Sequence, residues 1–507
     1  MRALPIVVAC AACLAVAAQE PTSPSFELVQ PDLFSTPGGQ PNAWADYDGD
    51  GDLDLFVGFR GGPDRLYRNG GGRFTDVAAS AGLAEAIETR AAAWGDYDAD
   101  GDPDLYVGYA NARGQANRIY RNHGGRFTDV AASLGIELRG VSRQPAWIDF
   151  DGDGDLDLFA AFRDVPNRLF RNDGSRFTDV TAAARIGDPR KTVGAAWWDA
   201  DADGDLDVFV ANQEGDANGF FRNDRGVFTD AAAGAGVAMP GRPKDEGGVG
   251  PAIADIDADG DFDLFVANYG PHNLFRNERG RFTDIARASG LVTAGHVTTA
   301  GFGDADADGW PDLYLGAFLG TAPNYRDYLF LNDGRARREG WGFRDALPAL
   351  LLTHDATHGV QWADFDADGR LDLALTNNDP KGGGHALLRN VTSVRGRLIA
   401  VQVVDAGGRM TRAGAEVRLY RAGTRTLVAS GLVDGGSGYC SQNAMPVFAA
   451  APASGLVDVE VTAIAGGARH VTRVPNVDPT AMKGKPLVVR TAVRQAQPAP
   501  SAPFRHY

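Results

Sequence analysis

The sequence predicts an all-β chain, a seven-bladed β-propeller followed by a small β-sandwich-like domain, on three observations. An Asp-rich string recurs seven times at intervals of 49 to 60 residues, a period that suits propeller blades. Nothing within one period sustains a 3.6-residue apolar pattern, whereas short apolar runs bounded by turn residues are frequent, as strands require. From residue 394 onward the repeat stops and apolar–polar alternation takes over.

Residues 1–18 have one Arg, an apolar run and small residues at Ala15, Ala17 and Ala18, the pattern of a secretory signal peptide. The run is too short and too early for a membrane span. A lipid anchor at Cys10 or Cys13 fits poorly, because the apolar stretch before each is short and apolar residues follow. Residues 19–393 carry the propeller. In the second repeat AAAWGDYD enters the Asp string as a strand, LYVGY leaves it as another, and NRIYRN with GRFTDVA makes a hairpin around Asn122 to Gly125. RLYRNGGGRFTDVA, RLFRNDGSRFTDV, GFFRNDRGVFTDA and NLFRNERGRFTDI repeat that grammar, giving four strands per blade. The seventh repeat has HALLRN but no recognisable F-T-D-V strand after it. FELV from Phe26 to Val29 is the expected substitute, closing the ring so that no edge is left unpaired. Trp44, Trp94, Trp147, Trp197 and Trp362, each two residues before its string, read as core between blades, with Ile253 and Phe302 in the other copies. Asn69, Asn122, Asn172, Asn223, Asn277, Asn332 and Asn390 read as turn or capping residues. Residues 394–492, with LIAVQVV, AEVRLYR, LVDVEVTAI and PLVVR, read as a small antiparallel β domain, and 493–507 as a Pro/Ala-rich disordered tail.

A chain of 507 residues with 44% hydrophobic content can bury a large core. Its formal net charge of −17 opposes a polyanionic partner, which excludes nucleic acid as the expected ligand. Of the three cysteines only Cys440 lies beyond residue 18, so no internal disulfide can brace the mature chain.

The Asp strings supply the brace. Numbered from the first Asp, position 1 is Asp46, Asp96, Asp149, Asp199, Asp255, Asp304 and Asp364. Position 3 is Asp48, Asp98, Asp151, Asp201, Asp257, Asp306 and Asp366, and position 5 is Asp50, Asp100, Asp153, Asp203, Asp259, Asp308 and Asp368. Position 9 is Asp54, Asp104, Asp157, Asp207, Asp263, Asp312 and Asp372, and position 6 is Gly throughout. Position 7 varies, as Asp52, Asp102, Asp155, Asp205, Asp261, Trp310 and Arg370, which is expected where only a backbone carbonyl is used. Alternate carboxylates converging on one centre, with a Gly for the turn, are the ligand logic of an oxygen-coordinated Ca2+ loop. Solvated turns need one or two Asp, not four in fixed phase seven times against their own repulsion. Mg2+ fits less well, since it demands tight octahedral geometry and keeps its waters. Seven Ca2+ would cancel most of the −17, leaving about −3.

The D-x-D-x-D-G-x-x-D loop, with W-x-D entering it and F-x-D-V-A following, resembles the FG-GAP/VCBS repeats of integrin α-subunit propellers and of the cartilage acidic protein family. GAEVRLYRAG from Gly414 and GGSGYCSQNAMPVF from Gly435 resemble the ASPIC/UnbV domain that follows the propeller in that family. Further on the family's Phe-Gly-Leu-Gly is replaced by Phe448 and Ala449 to Ala451, and the Trp-Pro-x-Gly signal is absent. The resemblance implies a secreted, calcium-braced binding or adhesion protein.

Basic residues near the start of the first strands form a further candidate. Arg90, Arg143, Lys191, His296 and His358, with Gln40 nearby, stand six or eight residues before their loops and would ring the channel mouth opposite the metals, an anion-binding entrance for a carboxylate such as a uronate. Solvated loop charge is the plainer account of them. His354 and His358 stand four apart but lead into a strand without the HExxH glutamate, so zinc is not expected. No G-x-S-x-G, phosphate loop or Cys/His nucleophile pattern occurs, and a lone Cys440 reads as buried. The sequence therefore predicts a secreted, periplasmic or extracellular calcium-binding adhesion, scaffold or ligand-binding protein that is not an enzyme. It would be a monomer with an extracellular protein or glycan partner. A glycan-binding, lectin-like propeller and a polysaccharide lyase or hydrolase acting at the channel mouth are the alternatives.

Overall fold

The computed structural model describes residues 23–492 except 111–113, 292, 294–295, 319–325, 335–341, 353–355, 380–383, 395, 437 and 483. The expected signal peptide, the C-terminal tail and His354 lie outside the described residues.

Each Asp string joins the first two strands of a four-stranded antiparallel sheet. In the second blade these strands are Thr89–Gly95, Asp104–Tyr109, Arg118–His123 and Arg126–Asp129, hydrogen-bonded in that order. Seven such sheets occur among the described residues. Their first strands are Gly39–Ala45, Thr89–Gly95, Ser142–Ile148, Thr192–Trp198, Gly247–Ala254, Val297–Gly303 and Thr357–Ala363, and neighbouring ones touch all the way around the ring. In the seventh blade Phe26–Leu28 supplies the outer strand, running antiparallel to Ala386–Asn390 with Phe26 opposite Asn390. The ring closes as FELV predicts.

Apolar burial between blades holds the ring. Trp44, Trp94 and Trp147 are fully buried. The indoles of Trp94, Trp147 and Trp362 each donate at 3.2 Å to a carbonyl of the preceding blade's first strand, at Ala43, Ala93 and Gly301. Gly95 and Gly303 permit this approach, since a Cβ there would fall within 2.7 Å of the following blade's Trp ring.

Beyond the propeller two sheets face one another. Gly396–Val404 pairs with Val447–Pro452 and Leu487–Arg490, and the second sheet runs in the order Leu427–Leu432, Glu416–Arg421, Val457–Ala465, Ala468–Val477. Ile399, Val401, Val417, Leu419, Val459 and Val461 fill the space between them. This is the expected small β-sandwich, with one departure. Leu487–Arg490 pairs parallel to Gly396–Val404, because the chain returns to the first sheet by a crossover from the second rather than by a hairpin.

The segment from Gly435 to Gln442 leaves this sandwich and bonds to the first strands of four blades. Trp147 N donates to Gly435 O at 2.7 Å, Gly438 N to Ala195 O at 2.9 Å, Ala92 N to Cys440 O at 3.2 Å and Gln442 N to Asn42 O at 3.2 Å. The first strand is the innermost of each blade, so its outer ladder edge faces the channel without a strand partner. The inserted segment satisfies part of that edge.

Candidate metal centres and the channel

The second repeat shows how a loop is built. The first strand ends at Gly95 and the second begins at Asp104, so the chain must reverse between them. Gly101 makes the turn at φ +99°, a left-handed conformation that a side chain would strain. Asp96 Oδ2 accepts from Gly101 N at 3.1 Å and Asp100 Oδ1 from Asp102 N at 3.0 Å. Asp104 Oδ2 accepts from Tyr97 N at 3.1 Å and its Oδ1 from Asn122 N at 2.8 Å, tying the loop to the third strand. The oxygens left over, Oδ1 of Asp96 and of Asp98, are buried without a hydrogen-bond partner. One oxygen each from Asp96, Asp98 and Asp104 lie within 4.8 Å of one another, as do those of Asp149, Asp151 and Asp157, of Asp46, Asp48 and Asp50, and of Asp199, Asp201 and Asp203. Buried unpartnered oxygens recur at Asp46, Asp48, Asp149, Asp201 and Asp366. Positions 1, 3, 5 and 9 are thus gathered into clusters able to hold a metal ion.

Burial pushes Asp54 and Asp104 up to about 8, against backbone N–H bonds that pull down, while other carboxylates of the loop push further up. Burial likewise takes Asp149, Asp255 and Asp364 up to about 7. Carboxyls in this condition ionise readily only when a cation shares the site. Buried acceptor oxygens with nothing to accept from suit an oxygen-coordinated divalent cation, and many such oxygens suit Ca2+ better than Mg2+.

The position 7 side chains turn to the outer hairpin, and Asp102 also offers an oxygen within 4.8 Å of ligand atoms of Asp100 and His123. Oδ2 of Asp52, Asp102, Asp205 and Asp261 accepts from Gly71 N, Gly124 N, Arg225 N and Arg279 N at 2.8 to 3.2 Å, bracing the outer hairpin. Where Asp is missing the contacts differ: in the sixth blade Trp310 packs on Gly334, and in the seventh, whose outer strand comes from Phe26–Leu28 and not from a hairpin, Arg370 Nε donates to Asn390 O at 2.6 Å.

Two kinds of residue around the loops escaped the sequence reading. Arg68 lies 2.7 Å from Asp48 and 3.3 Å from Asp50, Arg121 lies 2.8 Å from Asp98 and 3.4 Å from Asp100, Arg222 contacts Asp201 and Asp203, and Arg389 lies 2.6 Å from Asp366. These third-strand arginines offset loop charge from the outside. Their signal was the Arg that precedes the recurrent Asn in six of seven repeats, with Leu331 in the sixth. The asparagines themselves are more than turn residues. Asn122 Oδ1 accepts from Gly125 N at 2.9 Å within the turn, while its Nδ2 donates to Pro103 O at 3.1 Å and, across the blade boundary, to Tyr47 O at 2.8 Å. Asn172, Asn223, Asn277, Asn332, Asn390 and Asn69 reach back in the same way to Tyr97, Phe150, Ala200, Ile256, Ala305 and Phe365. Each clamps its blade to the residue after the first loop Asp of the blade before.

The sandwich sits on the loop face. Arg412 lies 3.4 Å from Asp149, Arg409 3.4 Å from Asp155 and Arg469 2.5 Å from Asp199. Arg418 donates to Gly260 O at 2.5 Å, Val428 abuts Gly309, and Gly484 abuts Ala367. Loops three to seven meet the sandwich in this way, while a Cβ built on Gly49 or Gly51 in the first loop, on Gly101 in the second or on Gly260 in the fifth would meet nothing within 4 Å.

The five basic residues of the expected anion entrance part company. Arg143 and His358 are buried in the channel wall and Arg90 is half-buried there. Lys191 ion-pairs with Glu214, and His296 stacks on Tyr269 with ring centroids 4.7 Å apart. Cys440 is buried and burial pushes its thiol up to about 11, which leaves it protonated and inert.

The FG-GAP-like repeat model matches residues 46–107, 108–160, 149–210, 199–266 and 255–315. The chain belongs to the FG-GAP-like repeat family. Cartilage acidic protein 1 of Mus musculus is 31% identical over 244 residues, covering 45% of this chain and 35% of that protein, and the Homo sapiens protein is equally identical over 45% and 34%. The match thus spans about a third of the length of these curated relatives. The BP39L lectin of Burkholderia pseudomallei superposes with a TM-score of 0.46 at 14% identity, over 70% of this chain and 96% of that one, too loosely to bear on function. No helix among the described residues is long and apolar enough to cross a membrane.

Proposed function

We propose that this FG-GAP repeat chain is a secreted, calcium-braced propeller that acts as a non-catalytic adhesion, scaffold or ligand-binding protein. The observation that carries the reading is the set of buried carboxylate oxygens without hydrogen-bond partners at loop positions 1 and 3. Left bare, these groups destabilise the fold; filled by Ca2+, they convert metal binding into folding free energy. At free calcium a hundred times the dissociation constant one site adds about 2.7 kcal/mol. The C-terminal unit, on this reading an ASPIC/UnbV-like domain, caps the loop face and leaves the opposite face to a partner. Melting the protein with calcium and then with a chelator tests the reading. A large fall in Tm in chelator supports it, and an unchanged Tm contradicts it.

A second reading, binding of a neutral glycan unit, is favoured by a cavity of about 160 Å3 between blades four to seven and the sandwich. Trp362, Phe302 and Phe448 line it with apolar faces, and Trp197 Nε1, Gln361 Oε1 and Asn443 Oδ1 on its walls lack hydrogen-bond partners. Aromatic faces with free amide and indole groups suit a sugar ring. Retention of an oligosaccharide on a glycan array without product formation would favour this reading, and product formation would favour a lyase or hydrolase.

A further inference from the structure

The pairing register between the first two strands shifts in every blade at the residue six before the loop, and Gln40, Arg90, Arg143 and His358 occupy that position in blades one, two, three and seven. A bulge takes a residue out of the ladder and re-aims its side chain. On the other side of the ring the equivalent Val193 and Val249 pack with Tyr439 and Cys440 of the inserted segment, and His358 meets the Tyr439 ring at 4.5 Å between centroids. The bulges therefore put seven side chains around the tip of the insert, apolar on one side and polar on the other. Six residues of strand separate this level from the loops, about 20 Å, so the insert reaches deep into the channel from the metal side.

Arg143 at this level is 5% exposed. Its guanidinium donates to Ser142 O at 2.8 Å, and among the described residues no carboxylate pairs with it. Its Nε is buried without a partner, as are both amide atoms of Gln40, which is fully buried. Arg90 beside it is 2.7 Å from Glu88, with its own Nε unpartnered. Further out, Lys191 and Arg163 share Glu214. A buried guanidinium without a counter-charge is destabilising, and this one stays unpaired among the described residues although the chain carries a net charge of −17. Burial accordingly draws Arg143 below the usual arginine range, and burial with the two arginines holds His358 well below the usual histidine range.

We propose that Arg143, with Arg90, Gln40 and His358, binds the carboxylate of a small acidic ligand that enters the channel from the end away from the metal loops. A planar guanidinium and an amide N–H match the two oxygens of a carboxylate, and the tip of the insert sets the depth to which the ligand reaches. This deepens the binding reading above by naming a ligand class, and it does not require the loops to be filled.

The test is a thermal titration with sodium glucuronate against glucose plus sodium chloride at equal ionic strength, on the wild-type chain, Arg143→Met and Gln40→Leu. The expected result is a concentration-dependent rise in Tm with glucuronate alone, absent in Arg143→Met and weakened about tenfold or more in Gln40→Leu, the loss of one hydrogen bond to a charged group. Arg143→Met should itself melt no lower than wild type, because an unpaired buried charge is exchanged for an apolar chain. No wild-type response to glucuronate, an equal response to chloride, or a response retained in Arg143→Met would overturn the proposal. The chelator melt reports separately on the metal sites, so the two readings fail independently.

Discussion

Replacing Asn122 by Ala removes one inter-blade clamp while sparing the loop. The backbone N–H of residue 122 still reaches Asp104 Oδ1, 2.8 Å away, so the strand-to-loop bond survives. Tyr47 O and Pro103 O, both buried, lose the Nδ2 donor at 2.8 and 3.1 Å, and Gly125 N loses the acceptor at 2.9 Å. A buried polar group left unsatisfied costs about 1 to 3 kcal/mol, so the two carbonyls together predict a loss of about 3 kcal/mol. Arg121→Ala is the control: it breaks two contacts to the same repeat, to Asp98 and Asp100, but the Arg side chain is 48% exposed, and exposed pairs contribute up to about 1 kcal/mol. The measurement is the midpoint of urea unfolding in saturating calcium, which keeps the metal contribution constant. A loss for Asn122→Ala no larger than for Arg121→Ala would refute the assignment of the asparagines as clamps between blades.

Three further outcomes follow from the same geometry. In chelator, stability should fall as pH rises from about 4 to about 8, because the folded-state pKa values of carboxyls such as Asp54 and Asp104, about 8, stand above their unfolded values, so the folded state holds protons that the unfolded state has released; denaturation midpoints across that range check it, and a rise would contradict it. Calcium should leave in two phases on mixing with chelator, about two ions quickly from the uncovered first and second loops and the rest slowly from beneath the sandwich, as stopped-flow release would show. Gln442→Ala should loosen the inserted segment, since its side chain bonds both Trp94 N and Trp94 O at 2.5 and 3.1 Å, and limited proteolysis should then cut near residue 440 faster than in the wild type.

The ring and its loops were legible because each blade repeats its own instructions. Four Asp in fixed phase, the Gly at position 6 and the F-T-D strand are local signals, and FELV could be matched to the missing outer strand by likeness alone. What escaped lies between distant residues. Asn122 and Tyr47 are 75 residues apart, and the Asn that reads as a turn former does that work too, so the turn concealed the clamp. Gln442 finds Trp94 across 348 residues, and nothing in GYCSQN says that it fills a channel. The bulges were invisible for the same reason, since a register shift belongs to a pair of strands and not to either one. Position 7 shows the reverse case: its variability was read as a carbonyl ligand's freedom, and the structure adds that the side chains of Asp52, Asp102, Asp205 and Asp261 brace the outer hairpin, whereas Trp310 packs on Gly334 and Arg370 bonds Asn390 O.

The measurement that tests the account most directly is the calcium content of the chain after exhaustive dialysis against trace calcium, by metal analysis, for the wild type and for Asp98→Ala. About seven ions per chain are predicted from the seven loops, with one fewer in Asp98→Ala. Calcium near zero in the wild type, or a content that Asp98→Ala leaves unchanged, would contradict the claim that these loops are metal braces.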